Sequence, residues 1–133
     1  MTKRKRLFKY YSGYARKVEK KATIPKEFFI SLFSDTQGQD QERLRVEVFI
    51  ENGKVIYLVV QYETLVEAEW LPVVRYDNAH QFFHQDLMDL TGRQVEKTII
   101  KVSDLNAALT YSINDLKENW EKYRTRFLRS GGN

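Results

Sequence analysis

The side chains best suited to chemistry lie within one short run, Leu71-Pro-Val-Val-Arg-Tyr-Asp-Asn-Ala-His-Gln-Phe-Phe-His-Gln-Asp-Leu-Met-Asp89. It holds Arg75, Tyr76, Asp77 and Asp86 together with His80 and His84, the two histidines of the chain. Histidine both accepts and donates a proton near neutral pH. Metal-independent cleavage of RNA asks for a base at the 2′-hydroxyl, an acid at the leaving oxygen and a cation at the phosphorane. His80, His84 and Arg75 can supply these, with Tyr76 as a substitute donor and Asp77 or Asp86 orienting an imidazole. Two other readings stand beside this one. His80, His84 and Asp86 are metal-ligand types, but imidazoles four residues apart on a strand sit about 13 Å from each other. No metal and no cofactor are therefore expected. The histidines can equally be hydrogen-bonded core residues without chemistry, with Arg75 paired to Asp77 across a turn and Tyr76 packed inside.

The elements that must position these residues are a strand over 65–76, a tight turn at Asp77-Asn78-Ala79 and a strand over 80–88. Asp and Asn favour turns because their side chains bond nearby backbone. On an extended strand the side chains alternate, which puts His80, Phe82, His84, Asp86 and Met88 on one face.

The rest of the chain supplies the surrounding sheet. Aromatic-rich Glu27-Phe-Phe-Ile-Ser-Leu-Phe-Ser34 predicts a strand, and the polar run 35–41 a loop. Residues 43–51 alternate, with Leu44, Val46, Val48 and Ile50 on one face and Arg45, Glu47, Phe49 and Glu51 on the other. Asn52-Gly53 predicts a type I′ hairpin into a strand over 54–62, and Glu63-Thr64 a further turn. Pro72 points to an edge strand or a bulge. A loop over 89–92 and a strand over 94–100 follow. Ser103 is the expected N-cap of a helix of about 25 residues. Its apolar stripe is Leu105, Leu109, Ile113, Leu116, Trp120, Tyr123 and Phe127. The expected fold class is α+β, an antiparallel meander of about six strands with the helix on one face. The division is a basic arm over 1–25, helical over about 5–20, and one domain over 26–133.

Composition bounds the functions. The chain has 133 residues and no cysteine, which excludes disulfides, thiolate zinc sites and a cysteine nucleophile. No apolar run approaches the ~20 residues of a membrane span, and the basic start is not followed by a signal-type apolar region. A soluble, cytoplasmic protein is expected, with homo-oligomers allowed. No glycine-rich phosphate loop, nucleophile elbow or acidic metal cluster is present, which disfavours nucleotide-triphosphate hydrolysis, serine hydrolysis and Mg-dependent nuclease chemistry. The net charge of +4 is uneven: residues 1–26 carry ten Lys/Arg against Glu19, and the remainder twelve against seventeen Asp/Glu. Lys3, Arg4, Lys5, Arg6, Lys9, Arg16, Lys17, Lys20 and Lys21 are the candidate nucleic-acid contacts, interleaved with Phe8, Tyr10, Tyr11 and Tyr14. The same features also describe a solvated tail whose aromatics pack on the body.

Arg75, Tyr76, Asp77, His80 and His84, within Val74-Arg-Tyr-Asp-Asn-Ala-His-Gln-Phe-Phe-His84, carry a resemblance to the TumE-type toxin family. Its members are small prokaryotic sheet-plus-helix proteins encoded beside a DNA-binding antitoxin. The likeness spans about residues 43–128 in element order. Phe82-Phe83 stand where that family tends to carry further histidines, and the arm lies outside the likeness. The resemblance implies a toxin-like interaction with RNA or DNA, neutralised by an antitoxin protein. A non-catalytic protein-binding or oligomerisation module is the rival expectation.

Overall fold

The alternation of β2 dictates a two-faced sheet, and the computed structural model, which describes residues 23–131, shows it. Six strands run β1 (Thr23–Ser34), β2 (Asp40–Glu51), β3 (Lys54–Val66), β4 (Glu69–Asp77), β5 (His84–Met88) and β6 (Gln94–Ile99). They pair antiparallel in sequence order, and the long helix α1 (Leu105–Arg129) completes an α+β fold. Leu44, Val46 and Val48 of β2, Leu58, Val60 and Tyr62 of β3, and Val73, Val74 and Tyr76 of β4 form the core with Ala108, Leu116 and Phe127 of α1. Leu105, Leu109, Ile113, Trp120 and Tyr123 pack against that core, so every residue of the predicted stripe meets the sheet. Each fully buried Leu or Phe contributes roughly 1.5–3 kcal/mol relative to exposure. No helix among the described residues is long and apolar enough to cross a membrane.

The turns are where expectation and structure part. Asn52 (φ 51°) and Gly53 (φ 79°) both take positive φ, as a type I′ turn requires. The next turn falls at Glu67 (φ 49°) and Ala68 (φ 69°), not at Glu63-Thr64. Pairing decides this: Glu63 lies opposite Pro72, and Thr64 opposite Leu71, inside the β3–β4 ladder. A register shift there leaves Val73 as the extra residue, so Pro72 sits at a bulge of an inner strand. β1 begins at Thr23, ahead of the expected start, with Pro25 inside an edge strand where its missing N–H is tolerated.

The helix start also moves by one residue. Asp104, not Ser103, is the N-cap, its carboxylate accepting the Ala107 N–H at 2.8 Å. Asn106 Oδ1 accepts the Val55 N–H at 2.9 Å and ties this end of α1 to β3. Asp104→Ala is expected to lower unfolding stability by about 1 kcal/mol, read from the urea midpoint at unchanged m-value.

Candidate functional site

The chain between β4 and β5 is a turn of unusual backbone. Asp77 Oδ1 accepts the Ala79 N–H at 2.9 Å, closing an Asx turn. Asn78 Oδ1 accepts the Leu58 N–H at 3.0 Å and pins the turn to β3. A single 3-10 turn follows over Ala79–Gln81, with His80 at φ 64° and Gln81 at φ 71°. The expected strand over 80–88 therefore begins only at His84, because positive φ breaks extension. His80 is exposed in the turn and does not share a strand face with His84. Of the two aromatics that follow, Phe82 is 59% exposed, whereas Phe83 is buried and stacks on Tyr76 at 5.6 Å between ring centroids.

Register then does what sequence spacing alone cannot. Asp77 pairs with His84, and Arg75 with Asp86, so four of the predicted residues occupy the sheet face away from α1. His84 Nε2 lies 3.2 Å from Asp77 Oδ1 and 3.3 Å from Asp86 Oδ2. His84 Nδ1 lies 2.9 Å from the Phe82 carbonyl oxygen. A carbonyl only accepts, so Nδ1 carries the proton and Nε2 is turned to the carboxylates. Asp77, His84 and Asp86 are all buried, and their ligand atoms lie within 4.8 Å of one another. Asp86 Oδ1 is buried without a hydrogen-bond partner.

Arg75 does not pair with Asp77; its Nε donates to Gln61 Oε1 at 2.9 Å. Gln61 Nε2 in turn donates to Glu63 Oε2 at 2.7 Å, which joins the site to a charged network on the same face. In that network Glu63 accepts from Arg43 Nε at 2.8 Å and Arg45 Nε at 3.3 Å, while Arg45 also pairs with Glu47. Arg43 lies between two rings, 4.4 Å from the Phe29 centroid and 4.0 Å from the Trp70 centroid. The alternation of β2 signalled the polar side of this face, but nothing in the sequence signalled its burial.

Tyr76 belongs to the other face. Its hydroxyl donates to Asp115 Oδ2 at 2.6 Å, as does that of Tyr123, and Gln85 Nε2 donates to both phenol oxygens at 3.0 Å. Burial first, then the Asp115 hydrogen bond, drives the Tyr76 phenol far up and the Tyr123 phenol up to about 12. Tyr76 therefore does not reach His84. Asp115 was not foreseen; the signal was two phenols on a face that otherwise reads as apolar.

The basic residues Lys3 to Lys21 and the helix expected over 5–20 lie outside the described residues. A groove of about 700 Å³ runs along the C-terminal end of α1, lined by Glu121, Lys122, Thr125, Arg126, Arg129 and Ser130, none of them in the Asp77–His84–Asp86 cluster. A family model described as Domain of unknown function (DUF7718) matches residues 9–133. Comparison with curated proteins and with solved structures gives no match.

Proposed function

The chain belongs to the DUF7718 family, and we propose that it is a cytoplasmic, toxin-like protein of a toxin–antitoxin pair that acts on nucleic acid. RNA is the first substrate to test. One observation carries the reading: Asp77 and His84, both within the stretch that resembles TumE-type toxins, meet at 3.2 Å on one hairpin. Arg75 stands beside them on the same face as the phosphate contact. The lysines and arginines from Lys3 to Lys21 supply the sequence-independent hold on the backbone. The reacting centre is His84 with its two carboxylates, since His80 stands apart in the turn.

The test is labelled RNA and DNA incubated with full-length protein, alongside His84→Ala and His80→Ala. Binding should weaken between about 50 and about 200 mM salt, each phosphate contact adding about 0.7–0.9 to the log–log slope. RNA cleavage should disappear in His84→Ala and persist in His80→Ala. Salt-independent binding, or cleavage by His84→Ala at the wild-type rate, overturns the proposal.

A second reading, a non-catalytic protein-binding module, draws on β6. This edge strand is exposed along its whole length, with Val95 at 54% and Ile99 at 62%. Open strand edges of this kind are templates for strand addition by a partner. It predicts that Ile99→Lys lowers the oligomeric mass or abolishes partner capture while nucleic-acid binding is unchanged.

A further inference from the structure

We propose that Asp77, His84 and Asp86 form a binding site for one divalent cation of the Mn²⁺ or Zn²⁺ class, held by His84 Nε2 and one oxygen of each carboxylate. Such a site does not depend on what the protein acts upon. With the proton on Nδ1, the Nε2 electron pair faces two acceptor oxygens at 3.2 and 3.3 Å. Three electron-rich atoms that converge in a buried place repel one another unless a cation sits among them.

Spacing separates the two cations that could do this. A single proton on Nε2 points well at only one oxygen, and a charge-assisted N–H···O bond is about 2.7–2.9 Å long. An ion about 2.0–2.2 Å from each donor instead holds neighbouring donors about 3–3.5 Å apart. The two separations from Nε2 fall in the second range, and the carboxylate oxygens lie within 4.8 Å of each other.

The surroundings agree. Asp86 is 6% exposed; its Oδ2 faces His84, and its other oxygen, Oδ1, has no hydrogen-bond partner. A cation satisfies a buried carboxylate that would otherwise bear the cost of desolvation. Arg75 on β4 and Lys97 on β6 occupy the register positions beside Asp86. Neither makes an ion pair with it, and Arg75 Nε is taken by Gln61. Around the donors, the Phe82 carbonyl fixes the imidazole and the Ala79 N–H fixes Asp77, the outer contacts that orient metal ligands. One imidazole with two carboxylates suits a first-row divalent ion of intermediate hardness.

The experiment uses chelator-treated full-length protein, titrated calorimetrically with MnCl₂ and with ZnCl₂ and melted with and without each ion. One ion per chain should bind, and Tm should rise by about 10 °C at a hundredfold excess of ion over Kd. Asp86→Asn should weaken binding by about 100-fold. Its ion-free Tm should equal or exceed that of the wild type, because the unpaired buried charge is gone; this separates a lost ligand from a lost fold. His80→Ala, in the exposed turn, should bind as the wild type does. Folded wild type that takes up neither ion overturns the proposal, as does Asp86→Asn binding with wild-type affinity or His80→Ala abolishing the uptake.

Discussion

Arg45→Ala should lower unfolding stability by about 3–5 kcal/mol, the range found when one member of a buried charged set is removed. Arg45 has no exposed surface, and its guanidinium lies against Glu47 and Glu63. Glu63 keeps Arg43 and Gln61 after the substitution. Glu47 does not fare as well. It too is fully buried, its Oε1 is already without a partner, and Arg45 is the ion-pair partner of its Oε2. The cost therefore arises from a stranded carboxylate and not from the lost attraction itself. A double variant, Arg45→Met with Glu47→Met, tests that cause: removing both charges should restore most of the loss. Urea unfolding at unchanged m-value measures both. A cost under about 1 kcal/mol for Arg45→Ala would match an exposed pair and refute the burial argument.

The same network shows which parts of this molecule were legible in the sequence. The faces of β2 and the stripe of α1 follow from periods of two and of about 3.6, which depend on local geometry alone. The Asn52-Gly53 turn follows from backbone sterics. The Glu67-Ala68 turn has no such signature, and its place is set by cross-strand pairing. The site divides along the same line. His84 and Asp86 share a face by simple alternation within β5, as expected. Asp77 joins them only because it pairs with His84 across the ladder, a register that the turn over 79–81 determines. His80 was misplaced for the converse reason: the run from His80 to Met88 has strand-like alternation, yet its first residues take positive φ. Periodicity cannot see that.

Asp115→Ala should cost about 3–6 kcal/mol, the second large effect, since hydrogen bonds to a charged acceptor are worth about 1.5–3 kcal/mol each and the two from the phenols are lost. Asp115 Oδ2 receives both phenols, and Oδ1 receives the Asn119 amide at 2.8 Å. Without the carboxylate, Tyr76, 1% exposed, retains only the Gln85 amide. A pH signature distinguishes this from loss of packing. Burial and Asp115 hold the Tyr123 phenol up to about 12, and they raise Tyr76 further. Tyrosines of the unfolded chain ionise near 10, so above that pH the unfolded state binds fewer protons than the folded state. Stability then falls as pH rises, and this contribution, whole below about pH 10, is lost for Tyr123 as pH climbs toward about 12. In Asp115→Asn both carboxylate effects on the phenols vanish while side-chain size is kept. Its tyrosinate absorbance should therefore appear at lower pH than in the folded wild type. Its urea midpoint should fall less steeply from about pH 10 upward, because a phenol with a smaller upward shift loses less there. Parallel midpoint curves for wild type and Asp115→Asn over that interval would show that the carboxylate does not hold the phenols neutral.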